Sequence, residues 1–182
     1  MSKPIAVLVG SLRKESYNLK VAKVLALIAP NSLRLKIIEI GDLPLYNEDI
    51  DTQNPPASYT RFRQEIAACQ GVIFVTPEYN RSLPAVIKNA IDVGSRPYGK
   101  SVWSKKPAAV ISVSPGAIGG FGANHHLRQT LVFLDMPTLQ QPEAYFGGVA
   151  NAFDEQGNIN EKSRSFLKQF IDAYAQWAQK IA

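Results

Sequence analysis

The order of apolar segments predicts a doubly wound α/β fold: a five-stranded parallel sheet in the order 2-1-3-4-5, with helices on both faces. Three observations carry this. Short apolar runs rich in Val and Ile are continuous rather than alternating, as expected of strands covered on both sides. Segments with apolar residues at helical spacing lie between them. The two kinds alternate strictly, which demands right-handed crossovers and a parallel sheet.

Taken in order, "IAVLVG" from Ile5 is the first strand, closed by Gly10. Val21, Leu25 and Ile28 then mark a helix that Pro30 stops. "LRLKIIEI" from Leu33 alternates more and suits a strand nearer an edge. "DIDTQNPPAS" is a polar, Pro-rich loop. A second helix carries Tyr59, Phe62, Ile66 and Cys69 on one face. "GVIFVTP" from Gly71 is the next buried strand, followed by a helix with Ile87, Ala90 and Ile91 inward and Pro84 in its first turn. "AAVISVS" from Ala108 is the fourth strand, and Leu127, Leu131 and Leu134 mark the helix after it. The fifth strand is placed on "MPTLQQPE" from Met136. Phe166, Phe170, Tyr174, Trp177 and Ile181 form the stripe of a final core-facing helix, whereas Trp103, in the polar "YGKSVWSKKP", reads as a surface or partner contact.

A chain of 182 residues without repeats or an interdomain linker reads as one domain, 1–182. The single cysteine, Cys69, permits no internal disulfide and fits a reducing, cytoplasmic setting. "MSKPIAVLVGS" is too short and wrongly flanked for a secretory leader, and no segment has the length of a membrane span. The net charge of +5 comes from dispersed Lys and Arg. It favours a small anionic ligand over nucleic acid, and without an apolar span no membrane partner is expected.

In sheets of this order, ligands bind at the carboxyl ends of the strands, beside the switch between strands 1 and 3. Polar clusters follow strands 1, 3 and 4. "GSLRKESYN" leads into a helix, so its amides, with Ser11, Ser16, Asn18 and the forked Arg13, are suited to a phosphate. The pattern is neither a Walker loop nor a dinucleotide fingerprint. "TPEYNRSLPAVIKNAID" is stiffened by Pro77 and Pro84, and its free backbone from Glu78 to Arg81 could read the edge of a heterocycle beside Tyr79. "SVSPGAIGGFGANH" is poor in side chains, and its glycines allow a flat ligand to approach. Each loop also has an ordinary description: a capped strand–helix turn, a Pro-bounded turn with a surface tyrosine, a flexible loop. Their coincidence at one sheet edge favours a shared ligand. His125 and His126 are adjacent and diverge on a helix, and no acidic or cysteine ligand has metal-site spacing, so no metal is expected.

"GSLRKESYN", "TPEYNRSLPAVIKNAIDVGSRP" and "SPGAIGG", in this order, resemble the NAD(P)H-dependent FMN reductase family, closest to bacterial class I chromate and quinone reductases. The resemblance runs on through "NHHLRQTLVFLDM" and "QPEAYFGG". It implies a flavodoxin-like three-layer sandwich, in agreement with the order above, and non-covalent FMN. It places Ser11, Arg13, Ser16, Tyr17 and Asn18 around the FMN phosphate. Pro77, Glu78, Tyr79 and Asn80 would line the ring with Arg81 close by, and Ser114 and Gly116 would approach from the third loop. The implied chemistry is ping-pong hydride transfer from NADPH or NADH through flavin to a quinone, with chromate as a side activity. No protein acid–base pair is then needed, and Arg81 and Arg96 are candidate substrate contacts. The resemblance also implies a homodimer or a dimer-of-dimers tetramer, with Lys88, Asn89 and Asp92 on the interface helix and His125 and Glu143 where relatives join dimers. Two rivals remain: a flavodoxin-type electron carrier, which the positive charge disfavours, and an FMN- or anion-binding module without NAD(P)H turnover.

Overall fold

A computed structural model describes residues 2–181. Five strands form one parallel sheet: β1 (Lys3–Val9), β2 (Leu33–Ile38), β3 (Gly71–Thr76), β4 (Ala108–Val113) and β5 (Ala144–Phe146). Their order is β2-β1-β3-β4-β5, as the apolar pattern predicts. The helices are α1 (Tyr17–Ile28), α2 (Ala57–Ala67), α3 (Ala85–Gly94), α4 (Phe121–Phe133) and α5 (Glu161–Ile181).

Side-chain alternation along the strands divides the core in two. Ile5, Val7 and Val9 of β1, with Ile73 and Val75 of β3, face α1 and α5. Ala6 and Leu8, with Val72 and Phe74, face α2, α3 and α4. Both β3 and β4 are buried throughout, which is why they are continuous apolar runs. β2 is buried only at Leu33 and Ile38, as suits an edge. Among the described residues no helix is long and apolar enough to cross a membrane.

Several expectations need correction. The fifth strand is not Met136–Glu143. That segment makes one parallel bridge, Thr138 to Ala108, at the foot of β4. Pro142 then interrupts it, and the chain returns as Ala144–Phe146 against the upper half of β4. Trp103 is fully buried rather than a surface contact. Its ring packs 5.9 Å from Phe62 and 6.2 Å from Phe74, and Nε1–H donates to Ile91 O at 3.0 Å. Gly94 makes room for it, since a Cβ there would lie 2.6 Å from the indole. On α5 the buried stripe is Leu167, Phe170, Ile171, Tyr174 and Ala178. Phe166 and Trp177 flank it, and Ile181 is exposed. Pro84 is the N-cap of α3 rather than a first-turn residue. Cys69 is buried just past the end of α2.

Candidate active site

The carboxyl ends of β1, β3 and β4 are held close together. Gly10, which follows β1, accepts no side chain: a Cβ would lie 2.8 Å from Ile87 Cδ1, 2.9 Å from Pro77 Cδ and 3.0 Å from Pro84 Cγ. The two prolines therefore brace the β3 loop against the start of the β1 loop. Ser16 is the N-cap of α1, and its Oγ accepts from Leu19 N–H at 3.2 Å. The Ser16 hydroxyl keeps its own proton to donate. The amides of Tyr17 and Asn18 lie in the first turn, where a helix offers no acceptor.

Asn18 is 5% exposed, and its Oδ1 is the one buried side-chain polar atom among the described residues with no hydrogen-bond partner. Such an atom is costly unless something enters to meet it. The carboxamide can turn end for end, so it can present either a carbonyl or an NH2 group.

These residues open onto a cleft of about 280 Å³. Ser11, Arg13, Ser16, Tyr17 and Asn18 line one side, Pro77, Glu78 and Tyr79 a second, and Val113, Ser114 and Pro115 the third. Pro77 is buried, while Tyr79 is half exposed at the rim. The glycines after β4 serve close approach: Gly119 has φ of 67°, and a Cβ there would lie 2.8 Å from the Tyr145 backbone. A larger hollow of about 410 Å³ lies across the Ser11–Arg13 segment, beside Ile38 and Glu39. It lacks the orphaned amide and the convergence of three loops.

The NADPH-dependent FMN reductase family matches residues 4–151 of the chain. The chain belongs to this family. It is similar to a quinone reductase of Pseudomonas putida, with 65% identity covering 96% of this chain and 94% of the relative. It is also similar to a 2-hydroxy-1,4-benzoquinone reductase of a Burkholderia species, with 46% identity covering 98% of each. Among solved structures, the flavoenzyme NAD(P)H:(acceptor) oxidoreductase FerB from Paracoccus denitrificans superposes with a TM-score of 0.92, at 44% identity over 98% of both chains. The protein is an FMN-dependent oxidoreductase that takes its electrons from NAD(P)H.

The donor set suits this FMN reductase's cofactor. Free amides, hydroxyls and a guanidinium at the start of α1 match a terminal phosphate, and Asn18 Oδ1, which has no partner within the protein, adds a polar atom able to meet a ligand.

Not every expected residue reaches the cleft. Asn80 and Arg81 form the exposed tip of a tight turn beyond Tyr79. Gly116 lies just outside the lining, its N–H bonded to Ser114 Oγ at 3.1 Å. Arg96 lies beyond the far end of α3, about 15 Å along the helix from the cleft. In the same chain it is no part of the cleft. Asn89 is 8% exposed and fully occupied: Oδ1 accepts from Tyr46 N–H at 2.8 Å, and Nδ2 donates to Leu43 O and Pro44 O. It fastens the loop after β2 and presents nothing outward, whereas Lys88 and Asp92 pair with each other at the surface.

Glu78 is not a free base. Burial alone would raise its pKa, but hydrogen bonds from Ala123 and Gly122 amides and from Arg81 outweigh burial and lower it. His125 Nε2 lies 2.8 Å from Tyr145 Oη, and His126 Nδ1 lies 2.9 Å from Ser82 Oγ, so the adjacent histidines do diverge. Sequence reading missed Val113 and Pro115 as lining residues, although both sit in the strand end and loop it singled out.

Proposed function

We propose that the cleft holds FMN with its phosphate at the start of α1, and that the enzyme uses NADPH or NADH to reduce quinones. The unpartnered Asn18 Oδ1 in a cleft walled by three loops is the observation that carries the site assignment. The quinone assignment is supported by the names of relatives that cover nearly the whole chain. When bound, FMN supplies the chemistry, accepting a hydride and passing electrons on.

The protein's part is to bind and orient. Ser11, Arg13, Ser16, Tyr17 and Asn18 grip the phosphate through hydroxyls, amides and the guanidinium. Pro77, Glu78 and Tyr79 form the second wall, with Asn80 and Arg81 at its tip, and Ser114 and Gly116 bound the third. Arg81, exposed at the rim, is placed to meet an anionic group of the dinucleotide. Glu78 is not a poised acid, because hydrogen bonds from its own partners outweigh burial and lower its pKa. An open cleft tolerates other oxidants, and chromate reduction is read as a side activity. A single domain, a cytoplasmic setting and a homodimer or pair of dimers complete the proposal.

The test is direct. Arg13→Ala combined with Ser16→Ala is expected to weaken FMN retention by about a hundredfold or more, from two lost charge-assisted contacts. Unchanged FMN affinity in a folded double variant overturns the phosphate assignment. Rapid NAD(P)H oxidation by the wild type with 1,4-benzoquinone, faster than with chromate, is the expected activity, and the reverse order overturns the quinone assignment.

A further inference from the structure

Helix α4 begins without a cap of its own. Its N-cap is Gly120 at φ 76°, and no side-chain cap bond is made there. The acceptor comes from the other loop: Glu78 Oε2 takes Ala123 N–H at 3.0 Å, and the Gly122 amide also bonds the carboxylate. Glu78 Oε1 takes Arg81 Nη1–H at 2.9 Å. The Glu78 side chain is 11% exposed, whereas Arg81 lies at 73%. Both carboxylate oxygens are thus committed within the protein.

The other half of this joint is a missing side chain. A Cβ on Gly122 would lie 2.7 Å from Arg81 O and 2.9 Å from Glu78 Oε2. The first turn of α4 therefore seats directly on the turn that follows Glu78. That turn is tight: Tyr79 and Ser82 exchange backbone hydrogen bonds of 3.1 and 3.0 Å, with Asn80 at φ 51° and Arg81 at φ 63°. A left-handed arginine is uncommon and persists where its surroundings hold it. The Glu78 ion pair and the bond between Ser82 Oγ and His126 do so here.

We propose that the Glu78 side chain has a positioning role: its carboxylate is a latch between the β3 and β4 loops that sets the separation of two walls of the cleft and the placement of Tyr79, without the carboxylate itself touching the ligand. The inference rests on the reading of this cleft as the FMN site. It differs from a direct flavin contact in one respect that can be measured: Glu78 and Gly122 act on one joint, so their effects are shared.

The full chain is stripped of FMN and retitrated, with affinity read from flavin fluorescence. Glu78→Ala and Gly122→Ala are each expected to weaken FMN by about tenfold, and the double variant by no more than about twofold beyond the worse single, as for groups in one network. Glu78→Gln keeps an acceptor for α4 and is expected to stay within about threefold of wild type. The visible circular dichroism of bound FMN shifts in Glu78→Ala and returns in Glu78→Gln. Additive losses, or a loss in Glu78→Ala with none in Gly122→Ala, overturn the latch in favour of direct contact. If Gly122→Ala does not fold, amide exchange in FMN-loaded Glu78→Ala decides: the latch requires faster exchange in both 79–82 and 122–124, and a change in one segment alone refutes it. Arg13→Ala with Ser16→Ala separates the two readings. If that variant keeps its FMN, the site assignment has failed, and amide exchange still judges the latch.

Discussion

Asn18→Leu should make the protein more stable and a worse flavin binder at once. Asn18 is 5% exposed, and its Oδ1 has no hydrogen-bond partner within the protein. A buried polar atom in that state costs about 1–3 kcal/mol, and leucine removes the atom with only part of the gain lost to overpacking. For a chain of 182 residues, a net gain of about 1–2 kcal/mol raises the apo Tm by about 2–8 °C. With FMN the sign reverses. At a concentration of about one hundred times Kd, FMN stabilises the wild type by about 2.7 kcal/mol, a Tm increment of about 5–11 °C. Loss of a hydrogen bond to a charged group, about 1.5–3 kcal/mol, weakens FMN by about ten- to a hundredfold. At the same FMN concentration the stabilisation then falls to about 0.4–1.4 kcal/mol. Scanning calorimetry with and without FMN reads both changes in one pair of traces. An apo variant that melts below the wild type, with an undiminished FMN increment, would show that Asn18 belongs to the core and not to the ligand.

Two further outcomes test the fold and its charge pairs. Gly71→Ala places a methyl against Tyr174 Oη, with Pro107 O at 3.0 Å and Ile5 Cδ1 at 3.2 Å, and is expected to cost about 2–3 kcal/mol. Tyr174→Phe alone should cost about 1 kcal/mol, because Pro107 O keeps its bond from Val72 N–H. The double variant should be more stable in urea than Gly71→Ala, and failure of that rescue removes the steric explanation. On the acid side, burial alone would raise the Glu65 pKa, but Lys36 and Arg61 outweigh it and lower the pKa. Its contribution is therefore full above the unfolded value near 4.3 and is lost as pH falls through the lower folded value. Glu65→Gln should flatten the fall in urea midpoint between about pH 5 and pH 3, and an unchanged slope rules this pair out as a source.

What could be read from the chain depended on how local its cause was. β1, β3 and β4 are buried on both faces, so each declares itself as an uninterrupted apolar run. β5 pairs with β4 over three residues, beyond a proline, and its burial depends on neighbours that no short window contains. Trp103 stands among polar residues because its pocket is built by Phe62, Phe74 and the bare face of Gly94, each distant in sequence. The site divides in the same way. Residues 11–18 and 77–79 announce the cleft because loop and helix start are contiguous. The hydrogen-bond partners of the Glu78 carboxylate were not legible, because Gly122 and Ala123 lie on a helix more than forty residues away. Asn89 looked like surface chemistry for the same reason: the backbone it holds is more than forty residues away.

Ser16 shows why a helix cap and an anion site cannot be told apart by composition. Its Oγ accepts from Leu19 N–H, which is the whole requirement of a cap. The same oxygen still carries a proton, and the amides of Tyr17 and Asn18 still point out of the first turn. The features that end a strand-to-helix turn are thus those that suit a phosphate, and one residue has the atoms for both uses. Asn18 separates them. A cap has no need of a buried carboxamide with an unpaired oxygen two residues further on, and a core has less need of it still. Folding alone gives no reason to keep that group, which supports the proposal that it serves a ligand.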